Sequence, residues 1–444
     1  MEQNENFDKK YILIRRDTTI SYDNRECYIN DIPLPKQEGD KRTTKQIAEQ
    51  EKKKFNDLFF KKHYQNIVVL TAAGTSMDNG KCCGKTRDGL WEYCEMEIDS
   101  FKDHIVNLGE KSFYVSKNIE DLLSHLILYQ KVNGWNQVFD DKIKVLEKKI
   151  AEACMLELQN EAPHKTFLNK ITARKPSDSR IQLFTTNYDT LFEQAANSAG
   201  FVVIDGFSFQ QPREFSGRYF DYDIVNRERT RLKQEDSFIS KVFHLYKLHG
   251  SLNWTKNASG KIIQSSNTEK PMIIYPASEK YESSYEQPYF EMMSRFQQAL
   301  RKDNVLLIVI GFGFQDKHIQ NVIHEAVEQN PSFQLVVVNY NGNENIDRHS
   351  LKDLFIDDKQ EIIKRNVTIF FDTLNSTCKC NRILINNLFK FFVWREVSKS
   401  FTRSIIEFIF NPLNLFVGYF TKVLTLWDIL PDKPVGVFIG TTFP

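Results

Sequence analysis

Apolar residues are unevenly spread along the chain, falling into short β-branched bursts separated by long helical or polar stretches. Ile67-Val68-Val69-Leu70, Ile181-Gln182-Leu183-Phe184, Val305 to Ile310 and Leu335 to Val338 are apolar with little or no alternation, the pattern of strands buried on both faces of a parallel sheet. Each burst runs into polar or glycine residues, as strands do where their C-terminal ends border a ligand crevice. The intervals are long enough for crossover helices. Leu90 to Lys170 reads as mostly helical, with Leu122, Leu123, Leu126 and Ile127 on one face. The expected fold class is therefore α/β, a Rossmann-like doubly wound parallel sheet with a helical insertion over about 91–175.

The flanks have a different character. Tyr11-Ile12-Leu13-Ile14 and Thr18-Thr19-Ile20-Ser21-Tyr22 are short β-type bursts, and with the stops at Pro33 and Pro35 they predict a small hairpin. Lys41 to Lys62 predicts a charged helix whose apolar face is Ile47, Phe55, Leu58 and Phe59. Residues 1–62 are thus expected to be an appendage, 63–377 the main domain, and 378–444 an aromatic-rich helical segment. Within the last, Ile405 to Trp427 is rich in Phe, Leu and Ile, but Glu407, Asn411, Pro412, Asn414 and Lys422 break it. No run of the ~18 apolar residues that a spanning helix needs is left. The reading is a docking helix pair, serving as core or as an assembly interface, with a membrane-surface role as the lesser alternative.

Composition narrows the picture further. The 59 basic residues nearly balance the 58 acidic ones, so no overall field draws the chain to nucleic acid or to an anionic membrane, and direct sequence-specific nucleic-acid binding is not expected. The seven cysteines, Cys27, Cys82, Cys83, Cys94, Cys154, Cys378 and Cys380, include no C-x-x-C pair of the kind a zinc ribbon uses. Their odd number, with no apolar export region in Met1 to Lys10, points to a reducing cytoplasm and to no metal site.

Chemistry concentrates just after the bursts. The first strand ends in Ala72-Ala73-Gly74-Thr75-Ser76, small residues that let a backbone approach a diphosphate. Then come Thr185-Thr186-Asn187-Tyr188-Asp189, Lys247-Leu248-His249-Gly250, and Gly311-Phe312-Gly313-Phe314-Gln315-Asp316. An amide, a carboxylate and an imidazole suit cleavage of a glycosidic bond through an oxocarbenium-like ribose: they can hold a sugar, orient water and accept a proton near neutral pH. Asp316 also reads as the cap of a helix from His318 to Glu328. His244 lacks a following glycine and is the natural decoy for His249. Gly84-Lys85-Thr86 is not a Walker A loop, because the position five residues before Gly84 is Asn79.

From about Ile67 to Asn339 this ordered set resembles the sirtuin family, in particular bacterial sirtuin-like NAD hydrolases encoded beside a HerA-type ATPase. The family's G-A-G-x-S loop is similar to Ala72 to Ser76, with alanine at the first glycine; its N-I-D element is similar to Asn187-Tyr188-Asp189, and its catalytic histidine to His249. The resemblance implies NAD as substrate. Asn187 would hold the nicotinamide ribose and a water, Asp189 would support the nicotinamide site, and His249 would act on a ribose hydroxyl. It also implies that Ala73, Gly74, Ser76, Thr186, Gly311, Gly313 and Asn339 contact NAD. Two departures separate the chain from deacylating sirtuins. The interval Tyr188 to Leu335 holds no cysteine for their zinc module, and the P-D-F-R stretch is replaced by Gly84 to Arg87 with Leu90-Trp91. The expected activity is NAD hydrolysis to nicotinamide and ADP-ribose in anti-phage defence, by a homo-oligomer with a HerA-type ATPase as partner. The alternatives are an NAD-dependent protein deacylase and a non-catalytic NAD or ADP-ribose sensor.

Overall fold

The computed structural model describes residues 9–377, apart from 37–38, 61, 108–111, 176–177, 227–237, 266–270, 274–286, 340–349, 356–361, 363 and 375–376. The expected aromatic-rich segment, 378–444, lies outside the described residues.

Four strands open the chain: β1 (Lys10–Arg15), β2 (Thr18–Tyr22), β3 (Cys27–Ile29) and β4 (Ile32–Leu34). After the helix Thr44–Phe59 come β5 (Asn66–Thr71), β6 (Gln182–Thr185) and β7 (Val202–Ile204). The short β8 (Arg213–Glu214) precedes β9 (Val242–Lys247), and β10 (Gly250–Ser251), β11 (Trp254–Lys256), β12 (Ile262–Gln264) and β13 (Met272–Ile273) are short again. β14 (Val305–Ile310), β15 (Gln334–Asn339) and β16 (Val367–Phe371) complete the set.

Eleven of these form one sheet in the order β4-β3-β2-β1-β16-β15-β14-β5-β6-β9-β7. The run from β16 to β7 is parallel throughout. From β5 the chain runs out through β6 to the edge strand β7 and comes back to place β9 between them, then returns to β5's other side to add β14, β15 and β16. That reversal puts a topological switch point between β5 and β14, where the C-terminal strand ends part to leave a ligand crevice. This is the doubly wound α/β architecture that the four apolar bursts predict.

The bursts do not alternate because both faces of the sheet are covered. Val68, Leu70, Leu307, Val309, Leu335 and Val337 feed one core, while Ile67, Val69, Leu306, Ile308, Val336 and Val338 feed the other. Three strands of the parallel run escaped the sequence pattern, β7 because its apolar run Val202-Val203-Ile204 is only three residues long. β9 carries His244, Tyr246 and Lys247 among its apolar residues, and β16 begins Val367-Thr368; neither is a clean apolar run, although all five β16 residues are buried.

The expected hairpin at the start is instead a four-stranded antiparallel meander. It joins the main sheet through β1, whose Leu13, Ile14 and Arg15 pair with Phe370, Ile369 and Thr368 of β16. Ile12, Leu13 and Ile14 are buried, so this segment adds core as well as an edge. The helix Thr44–Phe59 docks on it through Ile47 and Phe59.

Between β5 and β6 the helical insertion has its own core. Helices from Arg87–Tyr93 to Gln137–Cys154 bury Trp91, Phe101, Leu122, Leu123, Leu126, Phe139 and Leu146 against one another. The next helix, His164–Ile171, belongs to the sheet's core, packing Phe167, Leu168 and Ile171 there.

Candidate active site

The switch point is closed at its floor by two loops that touch backbone to backbone. Gly74, just past β5, donates its N–H to the Gly311 carbonyl just past β14 (3.2 Å). A Cβ on Gly74 would lie 2.6 Å from the Gly311 Cα, and one on Gly311 would lie as close to the Gly74 Cα. Gly311 also has φ +67°, a conformation other residues adopt only at a cost. Above this crossing lies a cleft of about 830 Å³.

Asn187, Asp189 and His249 all line the cleft, each about 8% exposed. Asn187 and Asp189 sit in the loop between β6 and the helix Leu191–Ala199, and His249 in the turn after β9. The Asn187 amide donates from Nδ2 to Ser76 Oγ (2.8 Å), to the Ala72 carbonyl (3.1 Å) and to Thr75 Oγ1 (3.2 Å). With the amide nitrogen committed, the acceptor Oδ1 is the atom left to meet a ligand. Ser76 Oγ in turn donates to Asp189 Oδ2 (2.6 Å), and Asp189 Oδ1 accepts from Leu191 N (3.0 Å) at the start of the following helix. One hydrogen-bonded chain therefore joins the loop after β5 to the loop after β6.

His249 is held from the other side of the cleft. Its Nε2 lies 3.0 Å from Asp316 Oδ2, and both side chains are about 10% exposed. Asp316 Oδ1 accepts from His318 N (2.9 Å) and Ile319 N (3.4 Å), capping the helix Lys317–Gln329. One carboxylate thus starts a helix and orients the imidazole, and with Nε2–H directed at Asp316 the basic ring atom is Nδ1. The sequence shows Asp316 as a cap but not as the partner of His249, since the two are 67 residues apart. A carboxylate at the N-terminus of a helix that faces the strand ends is the signal that could have found it.

Ala73, Ser76, Thr186, Gly311 and Gly313 also line the cleft. Gly74 does not line the cleft, its backbone being taken up by the contact with Gly311, and the Ser76 hydroxyl is bonded within the Asn187–Asp189 network. Asn339, at the end of β15, is not brought to the cleft wall with the others. His244 faces away, bonded through Nδ1 to Tyr246 OH (3.1 Å). Sequence patterning missed the rest of the wall: Lys85, Arg87 and Lys317 give it cationic groups, His318 lines it beside them, and Ser116, Asn118 and Asp121 reach it from the insertion. Among the described residues no group of three or more His, Cys, Asp or Glu is placed to hold a metal ion, and no helix is long and apolar enough to cross a membrane.

One family model and several solved structures match the chain. The SIR2-like domain family matches residues 182–358, which run from β6 past β15 and include Asn187, Asp189, His249 and Asp316. No curated protein matches the chain. Among solved structures, one described for the mechanism and regulation of Sir2 enzymes is 12% identical, with a TM-score of 0.36 over 75% of this chain and 96% of that one. Another, described for sirtuin substrate affinity, is 12% identical with a TM-score of 0.31, over 73% of this chain and 96% of that one. A third, a Sir2 mutant with a p53 peptide and NAD, is 12% identical with a TM-score of 0.30, over 74% and 96%. Residues 182–358 are thus similar to the SIR2-like domain family, on a chain folded as a doubly wound α/β sheet.

Proposed function

We propose that this protein hydrolyses the nicotinamide–ribose bond of NAD, giving nicotinamide and ADP-ribose. The observation that carries the reading is the convergence of Asn187, Asp189 and His249, from two separate loops, on one cleft at the switch point. A volume of about 830 Å³ suits a dinucleotide-sized ligand, and cationic groups on the wall suit its diphosphate.

In this reaction the C1′–N bond breaks, nicotinamide leaves neutral with the bond's electron pair, and water supplies the oxygen that bonds C1′. The proton released by that water is taken up by a base. Asn187 Oδ1 holds a ribose hydroxyl or the water close to the anomeric carbon, and His249 accepts the proton through Nδ1 while Asp316 stabilises the resulting imidazolium. Asp189 keeps Ser76 and Asn187 in register. None of these steps uses a metal.

We further propose that the activity serves anti-phage defence by depleting NAD, in a homo-oligomer beside a HerA-type ATPase. That reading rests on the motif resemblance. The test of the reaction is to incubate the full chain with NAD alone, and with the ATPase, and to follow nicotinamide by chromatography. Release without any peptide is expected. Strict dependence on an acylated peptide would make the protein a deacylase, and NAD binding without product under both conditions would make it a sensor.

A further inference from the structure

Directly beneath the Asn187–Asp189 loop lies a buried lysine that the reaction above does not use. Lys247, the last residue of β9, is 2% exposed. An ammonium has three N–H donors, and around this one stand three acceptors: the Asp189 carbonyl, the Tyr188 carbonyl (3.4 Å) and Glu193 Oε1 (2.9 Å). Glu193 is in the first turn of the helix that leaves the loop; burial pushes its carboxyl up and Lys247 pulls it back. As a contribution to stability alone, a buried ion pair does no better than two well-packed apolar side chains. The carbonyl contacts are what an apolar pair could not reproduce.

We propose that Lys247 is a positioning residue for NAD cleavage, holding the Tyr188 and Asp189 carbonyls and so the backbone that carries Asn187 and Asp189. This rests on the hydrolysis reading. Lys247 acts through the Asp189 peptide: fixing its carbonyl fixes the carboxylate bonded to Ser76, and Ser76 fixes the Asn187 amide. The same strand end leads to His249 two residues later, so Lys247 ties the two catalytic loops to one point. The turn after β9 adds to this from above, where Leu252 N donates to the Tyr188 carbonyl (3.1 Å).

The experiment compares Lys247→Met, the pair Lys247→Met with Glu193→Leu, and Glu193→Gln, all in the full chain. Melting, NAD kinetics and amide hydrogen exchange over 187–191 are measured for each. Lys247→Met leaves the part-buried Glu193 carboxylate without its cation and lowers Tm. The pair removes both charges and recovers Tm, yet its kcat stays ~10–100-fold below wild type, with a smaller change in KM and faster exchange at Asp189 to Leu191. Glu193→Gln keeps the carbonyl contacts and stays within about threefold of wild-type kcat. A pair variant with wild-type kcat and exchange overturns the proposal, as does a Glu193→Gln loss equal to that of Lys247→Met. A wild-type chain that releases no nicotinamide sinks the hydrolysis reading instead. Exchange then decides alone: faster in the pair variant supports the role of Lys247, unchanged overturns it.

Discussion

At Asn187 the side-chain nitrogen is spent on three internal acceptors and the oxygen is left for chemistry, while at His249 one ring nitrogen is spent on Asp316. Asn187→Ala and His249→Ala are therefore expected to fold and melt as wild type but to cleave NAD ~10²–10⁴-fold more slowly, and not additively. Near wild-type turnover in either variant would refute the site, and His244→Ala is the mild control. Asp316 separates two roles in one residue. Asparagine is as good a helix cap as aspartate, so Asp316→Asn should keep its Tm yet lose turnover. Asp316→Ala should lose turnover and about 1 kcal/mol of stability as well. Equal melting of the two variants would contradict the cap, and wild-type turnover in Asp316→Asn would contradict the contact with His249. Asn187, Asp189, His249 and Ser76 stand in short motifs that the sequence displays; the bonds of Ser76 to Asn187 and Asp189, and of Asp316 to His249, span 67 to 113 residues and no local pattern displays them.

Among elements, the contact of the loops after β5 and β14 is the tightest. Gly311→Ala puts a methyl 2.6 Å from the Gly74 Cα at a positive φ, whereas a Cβ on Gly313 meets nothing within 4 Å. Gly311→Ala should fail to yield folded protein or lose many degrees of Tm, and Gly313→Ala should melt like wild type. Equal melting curves would show that the crossing yields easily. A second element pair gives a pH effect. His164 opens the helix His164–Ile171 and is fully buried against Phe192 of the helix that follows the Asn187–Asp189 loop, with ring centroids 5.0 Å apart. Neither ring nitrogen has a hydrogen-bond partner among the described residues. Burial pushes its pKa down to about 4, with Asp189 pulling the other way. Unfolded, an imidazole titrates near ~6.5, so between those values the unfolded chain binds a proton that the folded one refuses. Stability is then complete above the unfolded value and falls as pH drops toward the folded one, by roughly 3 kcal/mol in all. Urea melts from pH 7.5 to 4.5 should be flatter for His164→Leu, and an unchanged slope would refute this. Periodicity made the central strands legible because burial on both faces writes a continuous apolar run. β9 and β16 stayed hidden because functional or polar residues interrupt theirs.

On the scale of the whole molecule, the sequence separates the first 62 residues from the domain they serve, because a local pattern shows a strand but not its partner. The pairing of β1 with β16 makes them part of the main sheet. Removing residues 1–34 should therefore expose the β16 edge and give aggregated protein, and a soluble fragment with wild-type NAD cleavage would refute that. Pairing of the earliest strand with the latest also has a consequence for how the protein is made. Leu13 leaves the ribosome about 350 residues before its partner Phe370, a wait of roughly 20–70 s at ~5–20 residues per second. Throughout that time the meander lacks the β16 edge it pairs with, and for most of it the segment around Asn187 exists without the Asp316 helix. A nascent chain halted before β14 has no switch point, so the proposed NAD cleavage has no site in which to occur until about two thirds of the chain has been made.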